Sequence, residues 1–216
     1  MSFKQYLPYY KRNLRVALPV MLTQLGASLV GLFDSIMVGH YATVDLAAVS
    51  FANALFFMAM VFAMGALMAI TPLVGVRVGE MNARPEEQTE IRYKIAVLFQ
   101  NGMLFTLLQS VLMLLLLGGC LPFLEYFGQD PAVIEVARPY YILIVISLVP
   151  FLIFTFFKQF LEGLGNTLVA MIITLAMNAL NIFLNWIFIY GHWGVEAMGA
   201  AGAGIGSLIS RVGMAL

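Results

Sequence analysis

Six long apolar stretches alternate with short polar segments along this chain, and they lie at 16–39, 46–76, 95–117, 140–157, 168–190 and 198–216. Each is long enough for a helix to cross a bilayer, which takes about 17 to 25 residues. The stretches are apolar on all sides and lack the alternation of membrane-barrel strands. Because lipid offers no partners to backbone polar groups, the pattern predicts an all-α polytopic membrane protein with six transmembrane helices, preceded by a segment at 1–15.

Composition supports this class and excludes others. Of the 216 residues, 62% are hydrophobic and 10% are charged, whereas about 25% of residues are charged in a soluble domain. The 11 basic and 11 acidic residues cancel, so membrane lipid is an expected partner and nucleic acid is not. The single cysteine, Cys120, excludes an internal disulfide. The length leaves no room for a soluble catalytic domain, and the protein is not expected to be an enzyme.

Lysine and arginine are distributed unevenly between the polar segments. They concentrate in 1–15 and after the second stretch, and Lys158 follows the fourth stretch. The segments on the other side contain Arg138 and five acidic residues. Since cytoplasmic segments of membrane proteins are rich in lysine and arginine, segment 1–15 is predicted to be cytoplasmic.

The last apolar stretch continues to Leu216 without a polar tail. Arg211 lies inside this stretch, about 20 Å from its start at 1.5 Å per residue. We therefore expect the sequence to be a fragment that stops inside or just after its sixth helix.

Asp34 is the one acidic residue well inside an apolar stretch. It lies five residues before Gly39, which places it about 7 Å below the outer end of the first helix. An ionisable residue at this depth is costly and is therefore a candidate functional residue. Asp34 has no obvious basic partner in the membrane, so a proton or cation site is favoured. The alternative is a carboxyl that is merely protonated or hydrogen-bonded to a neighbouring helix.

Three asparagines, Asn178, Asn181 and Asn185, share one face of the fifth helix because their spacings are three and four residues. Asn185 lies at nearly the same depth as Asp34, so the two side chains are predicted to meet in one layer. Amide and carboxylate oxygens together suit a sodium ion or a proton-linked network. The alternative is that the amides only hold helices together, and for Asn178 the two interpretations are equally supported.

Further polar residues lie on the first two helices. Thr23 is eleven residues before Asp34, which is nearly three helical turns, and is predicted to line the same face deeper in the membrane. Gln24 is adjacent, and Asn53 lies on the second helix. The three are candidates for a substrate cavity, with structural hydrogen bonding as the favoured alternative for Asn53.

Prolines and glycines indicate where helices bend and pack. Pro19, Pro72 and Pro150 can break or bend their helices, and Pro19 is the candidate hinge. Gly202 and Gly206 have the GxxxG spacing that allows close helix packing. No nucleotide-binding pattern is present, so no cofactor is expected and transport would use an ion gradient.

These motifs resemble one known family. The first apolar stretch resembles the first helix of MATE (multidrug and toxic compound extrusion) transporters. The resemblance lies in Ala17-Leu18-Pro19, Gln24, Asp34 and Val38-Gly39. The segment Phe160-Leu161-Glu162-Gly163-Leu164-Gly165-Asn166-Thr167 is similar to their turn between helices four and five. The fifth apolar stretch and the segment after it resemble the fifth helix of these transporters and the loop that follows it. The resemblance lies in Asn181 to Asn185, Gly191, Gly194 and Met198-Gly199-Ala200-Ala201.

The resemblance implies a fold and an activity. MATE transporters have twelve helices in two lobes, so 16–216 would be the amino-terminal six-helix lobe, with the carboxyl-terminal lobe of the same full-length protein as its partner. They export small cationic amphipathic drugs from the bacterial inner membrane by proton or sodium antiport. Asp34 occupies the position of the family's coupling acid. Asn185 stands where the DinF-like branch has an acid, which favours the NorM-like branch.

Three alternatives differ in what they require. A lipid-linked precursor flippase of the same superfamily needs basic residues in its cavity, and Arg211 is the one candidate. An intramembrane enzyme needs a nucleophile–base pair or a metal cluster, and the sequence suggests neither. The third alternative is a structural or assembly subunit without transport.

Overall fold

The computed structural model describes residues 3–216, except for the side chains of 3–9, 12, 15 and 16. The described residues form seven α-helices: α1 Phe3–Tyr41, α2 Thr43–Met68, α3 Ile70–Ala83, α4 Gln88–Cys120, α5 Pro131–Gly163, α6 Leu168–Tyr190 and α7 Gly199–Ala215. Two short 3-10 helices, Pro85–Glu87 and Leu121–Phe127, flank α4. The regular structure of the described part is therefore entirely helical.

The helices have the dimensions of membrane spans. Five described ranges are long and apolar enough to cross a bilayer, namely Ala17–Tyr41, Thr43–Ala83, Pro85–Phe127, Pro131–Gly163 and Leu168–Tyr190. The apolar helix α7, which corresponds to the sixth predicted stretch, has 17 residues. The prediction of an all-α polytopic membrane protein is confirmed.

Most helices extend beyond the apolar stretches that predict them. The fourth stretch begins at 140, but α5 begins at Pro131, after Asp130 caps it by accepting a hydrogen bond from the Ala132 amide at 2.8 Å. A proline at the first helical position and an aspartate before it are a common helix start. Residues 3–15, predicted as a separate segment, likewise continue α1. Hydropathy reports the lipid-facing length of a helix and misses the polar turns at its ends.

Pro72 interrupts its predicted helix, whereas Pro19 does not. Pro72 would clash with the carbonyl group four residues earlier, at Met68, and the second predicted helix does break there into α2 and α3. Pro19 does not break α1, which is helical throughout. The Thr23 hydroxyl donates to the Pro19 carbonyl at 2.9 Å.

The helices pack around α5, which contributes large fully buried side chains such as Tyr141 and Phe156 and contacts α2, α4 and α7. Helix α6 packs between α1 and α7. The small residues of α7 allow close approach, since a Cβ atom at Gly202 would meet the Phe188 backbone of α6. The packing role predicted for the GxxxG spacing is confirmed, and it brings α1, α6 and α7 together around Asp34.

Candidate functional site

Asp34 and Asn185 join α1 to α6. The Asn185 Nδ2 atom donates a hydrogen bond to the Asp34 Oδ1 atom at 2.5 Å. Asn185 is fully buried and Asp34 is partly buried. The expected meeting of these residues in one layer is therefore present.

The Asn181 amide joins the same group. With its oxygen toward Asn185, Asn181 accepts from the Asn185 Nδ2 atom at 3.4 Å. With the amide reversed, its nitrogen donates to Asp34 Oδ1 at 3.1 Å and its oxygen accepts from the Ser207 amide at 3.3 Å. The reversed orientation satisfies both amide atoms, and hydrogen-bond networks are the basis on which such amides are assigned. Asp34 then receives two amide donors from α6.

Helix α7 fixes the position of Asn185. A Cβ atom at Gly206 would meet the Asn185 amide, so a glycine is needed where α7 crosses α6. The Asn185 Oδ1 atom is buried against this glycine and has no hydrogen-bond partner. An unsatisfied acceptor at this depth is unusual, and it leaves one oxygen beside Asp34 uncompensated.

Asp34 opens into a cavity of about 220 Å³ between α1, α2, α5, α6 and α7. Its walls combine apolar and polar side chains, namely Ala27, Val30, Asp34, Met60, Phe151, Asn178, Asn181, Ser207, Ser210, Arg211 and Met214. Small-molecule pockets usually enclose about 300–1,000 Å³. The cavity is therefore large enough for the polar group of a ligand and too small for a complete drug.

The remaining predicted cavity residues lie elsewhere. Thr23 is buried one turn below Ala27, on the face that Ala27, Val30 and Asp34 continue. Gln24 is exposed and does not line the cavity, because one residue rotates a helix by about 100°. Asn53 is also outside it, where its Oδ1 atom accepts from the Tyr140 hydroxyl at 3.0 Å. Gln24 and Asn53 therefore do not line this cavity, and their contact with a substrate stays a prediction.

The expectation that Asp34 has no basic residue near it in the membrane is also wrong. Arg211 of α7 lines the same cavity. Its Nη1 atom donates to the Ser147 hydroxyl of α5 at 2.7 Å. The rule that selects Asp34, an ionisable residue inside an apolar helix, selects Arg211 equally and could have found it.

A larger cavity of about 440 Å³ lies at the end of the bundle where α5 begins. Its lining includes Glu125, Glu135 and Arg138, and Arg138 pairs with the exposed Glu125 at 2.8 Å. Exposed pairs of this kind contribute little energy. We therefore place the candidate site at Asp34 and not in this larger cavity.

The two histidines do not form a metal site with other residues in the described part of the chain, where no three potential ligands cluster. The His40 Nδ1 atom lies 2.9 Å from the Ile36 carbonyl, and the His192 Nδ1 atom lies 2.9 Å from the Trp186 carbonyl. A cation could be held by the oxygens of Asp34, Asn181 and Asn185, if both amides turned their oxygens inward.

Comparison with known proteins gives consistent matches. The MatE family profile matches residues 19–187. The multidrug resistance protein NorM of Photobacterium profundum is 31% identical over 204 residues, which is 93% of this chain and 43% of that protein. A probable multidrug resistance protein NorM of Oceanobacillus iheyensis is 29% identical and covers 90% of this chain and 42% of that protein.

The fold is similar to that of a solved transporter structure. A MOP superfamily transporter from Pyrococcus furiosus superposes with a TM-score of 0.77 over 95% of this chain and 43% of that one, at 23% identity. At this identity the similarity concerns the fold alone. The chain thus spans less than half the length of the curated relatives it matches.

Proposed function

This chain belongs to the MatE family of multidrug and toxic compound extrusion transporters, and from that premise we propose that it forms the amino-terminal lobe of a secondary active multidrug efflux antiporter. The predicted family and its NorM-like branch are confirmed. The proposed protein exports cationic amphipathic compounds in exchange for protons or sodium ions. Its partners are membrane lipid and a carboxyl-terminal lobe of the same protein.

One observation carries the proposal: the Asp34 carboxylate faces a cavity and is held by an amide of α6 at 2.5 Å. The carboxylate oxygens accept amide hydrogen bonds and can also accept a proton. A proton or a cationic compound can neutralise that charge, but the two compete for the same oxygens. Competition at one carboxylate is the minimal device for exchanging a drug for an ion.

The amide orientations favour the proton over sodium as the coupling ion. Asn185, and Asn181 in its satisfied orientation, both present nitrogen to Asp34. Sodium is a hard cation that needs oxygen ligands, so both amides would have to reverse before it could bind. A proton binds the carboxylate without that rearrangement.

The distribution of lysine and arginine supports a cytoplasmic amino terminus. Both NorM relatives described above are bacterial. We therefore place the protein in the bacterial inner membrane.

Arg211 is the observation that favours a lipid-linked precursor flippase as a second candidate. A pyrophosphate headgroup would meet one guanidinium, but it would also meet the Asp34 carboxylate in the same cavity. The negative charges of the headgroup and of Asp34 would repel each other strongly in one low-dielectric cavity. The antiporter is therefore favoured over the flippase.

The test uses inside-out vesicles that contain the complete gene product, an imposed proton gradient and a fluorescent lipophilic cation. Wild-type vesicles are expected to accumulate the dye, and Asp34→Asn is expected to abolish accumulation because an amide cannot exchange a proton at neutral pH. Asp130→Asn is the matched control, since an asparagine at this exposed cap keeps the hydrogen bond to Ala132.

Two results would contradict the proposal. If Asp34→Asn vesicles retain proton-driven accumulation at equal protein levels, Asp34 is not the coupling group. If accumulation follows an imposed sodium gradient and ignores the proton gradient, the proton assignment fails.

A further inference from the structure

The turn between α3 and α4 places two basic side chains at the same level. Arg77 lies six residues before the end of α3, and Lys94 lies six residues after the start of α4. At 1.5 Å per residue, both are about 9 Å from the turn that joins these two packed helices. Lys94 also interacts electrostatically with Glu80 of α3, so its charge acts across the helix pair. The two cations therefore form one layer on neighbouring helices.

A pocket of about 320 Å³ lies between these helices and combines the two cations with apolar side chains. Arg77 and Lys94 are the charged residues of its lining, and no acidic residue in the described part of the chain lines it. Leu73, Val97 and Leu98 also line it, three or four residues farther from the turn on their helices. The pocket is therefore cationic near the end of the bundle and apolar deeper in, which matches a phospholipid held by its headgroup.

The position of the pocket along the helices agrees with the depth of a membrane surface. Tyr93, next to Lys94, lines the pocket and is 70% exposed. Tyrosine is enriched at membrane–water interfaces, where its ring and its hydroxyl group meet different environments. The third apolar stretch begins one residue after Lys94, and Leu73 and Val76 are exposed on α3. A lipid beside these helices would therefore have its headgroup next to both cations.

Both cations keep hydrogen-bond donors free for a ligand. The Arg77 Nη1 atom pairs with Glu80 at 2.8 Å, and the Lys94 Nζ atom pairs with Glu90 at 2.6 Å. A guanidinium has five N–H donors and an ammonium group has three, so one carboxylate oxygen saturates neither group. Both pairs are exposed, and exposed pairs contribute little energy. A phosphate can therefore bind both cations without breaking either pair.

We propose that Arg77 and Lys94 bind the phosphate of an anionic phospholipid, whose acyl chain lies along Leu73, Val97 and Leu98. Basic pockets between transmembrane helices bind anionic headgroups in this way. A phosphatidylglycerol headgroup carries only negative charge, whereas phosphatidylcholine and phosphatidylethanolamine add a cation that Arg77 and Lys94 would repel. The bound lipid would bridge α3 and α4. This site shares no lining residue with the Asp34 cavity and does not depend on the proposed antiport.

The experiment measures lipid binding to the complete gene product in detergent by native mass spectrometry. The probes are phosphatidylglycerol, phosphatidylethanolamine and phosphatidylcholine with identical acyl chains. The wild-type protein is expected to bind phosphatidylglycerol about tenfold more tightly than the other two lipids, because two basic residues contribute to the attraction. The double variant Arg77→Gln, Lys94→Gln is expected to lose this preference. Arg84→Gln is the matched control, since Arg84 forms a similar exposed pair with Glu87 but does not line the pocket.

Single variants protect the test if the double variant fails to fold. Arg77→Gln and Lys94→Gln are each expected to weaken phosphatidylglycerol binding by about threefold, with phosphatidylcholine binding unchanged. The proposal is overturned if the wild-type protein does not prefer phosphatidylglycerol, or if Arg84→Gln weakens its binding as much as the pocket variants do. Displacement of the lipid by an equal concentration of inorganic phosphate would also overturn it, because the site would then recognise a free ion.

Thermal unfolding gives a second measurement of the same site. A ligand that binds only the folded protein raises the unfolding midpoint by mass action. Phosphatidylglycerol is therefore expected to raise the midpoint of the wild-type protein and of Arg84→Gln more than that of the double variant. Equal shifts in all three proteins would contradict a specific lipid site at Arg77 and Lys94.

Discussion

Gly206 of α7 lies so close to Asn185 of α6 that a Cβ atom added to the glycine would meet both the oxygen and the carbon of the asparagine amide. This contact matters because the same amide donates to Asp34 at 2.5 Å. The absence of a side chain on one helix thus determines a hydrogen bond between two others.

Replacement of Gly206 by alanine is expected to displace the Asn185 amide from Asp34. Overpacking of a well-packed site typically costs about 1–3 kcal/mol, and the displaced amide should also slow proton-driven efflux. The midpoint of thermal unfolding in detergent and the vesicle assay measure the two effects. Gly65→Ala is the control, since nothing lies within 4 Å of its added Cβ atom. Equal behaviour of the two variants would show that the contact is not a constraint.

Replacement of Gly163 by alanine is expected to separate α3 from the end of α5. The added Cβ atom would lie 2.6 Å from the Val74 Cβ atom and 2.9 Å from the Thr71 carbonyl oxygen. Neither group can turn away as a flexible side chain would, so we expect a loss of about 1–3 kcal/mol in unfolding free energy. Thermal unfolding with Gly79→Ala, which has open space at its Cβ position, is the comparison. An unchanged midpoint for Gly163→Ala would contradict the observed packing.

Asp45 is expected to stabilise the start of α7 from a different helix. Its Oδ1 atom accepts from the Ala200 amide at 2.6 Å, which satisfies one of the free N–H groups at that helix terminus. Loss of a capping side chain typically costs about 0.5–2 kcal/mol, so Asp45→Ala should lower the unfolding midpoint. Asp45→Asn keeps an acceptor oxygen and should restore most of the loss. If alanine and asparagine destabilise equally, the hydrogen bond contributes nothing.

Gln109 is expected to tolerate replacement by leucine. Its Nε2 atom donates to the Ala63 carbonyl at 3.2 Å, but its buried Oε1 atom has no partner. The hydrogen bond and the unsatisfied oxygen have opposite effects on stability, so Gln109→Leu should change the unfolding free energy by about 1 kcal/mol or less. Unaltered efflux in the vesicle assay would agree with a structural role. A loss of efflux at normal stability would assign Gln109 to the transport path.

The sequence was sufficient to predict those parts of the site that depend on position along one helix. Asp34 and Asn185 lie at similar depths on helices that run in the same direction, and depth follows from counting residues. The break before Pro72 follows from the missing amide and the clash of its ring. Depth and the helix break are each determined within a single helix, and both agree with the structure, in which α1 and α6 also pack so that Asp34 and Asn185 meet.

Features that depend on how helices rotate and pack against one another could not be predicted. The placement of Arg211 against Ser147 and two phenylalanines requires the relative positions of α2, α5 and α7. Gln24 shows the same limit, because neighbouring residues of a helix face directions about 100° apart. A single apolar stretch gives no information about which direction faces the interior.

The fixed positive charge of Arg211 has a consequence for the driving force. On the proposed proton cycle, the pair formed by Arg211 and Asp34 is neutral when Asp34 is ionised and carries one net positive charge when Asp34 is protonated. A membrane potential acts on that net charge with about 2.3 kcal/mol per 100 mV for a full crossing. A negative cell interior would pull the proton-loaded state inward, but it would equally oppose the outward step of the state loaded with a monovalent cation, which carries the same net charge. Exchange of one proton for one such cation would therefore be powered by acidity and not by voltage.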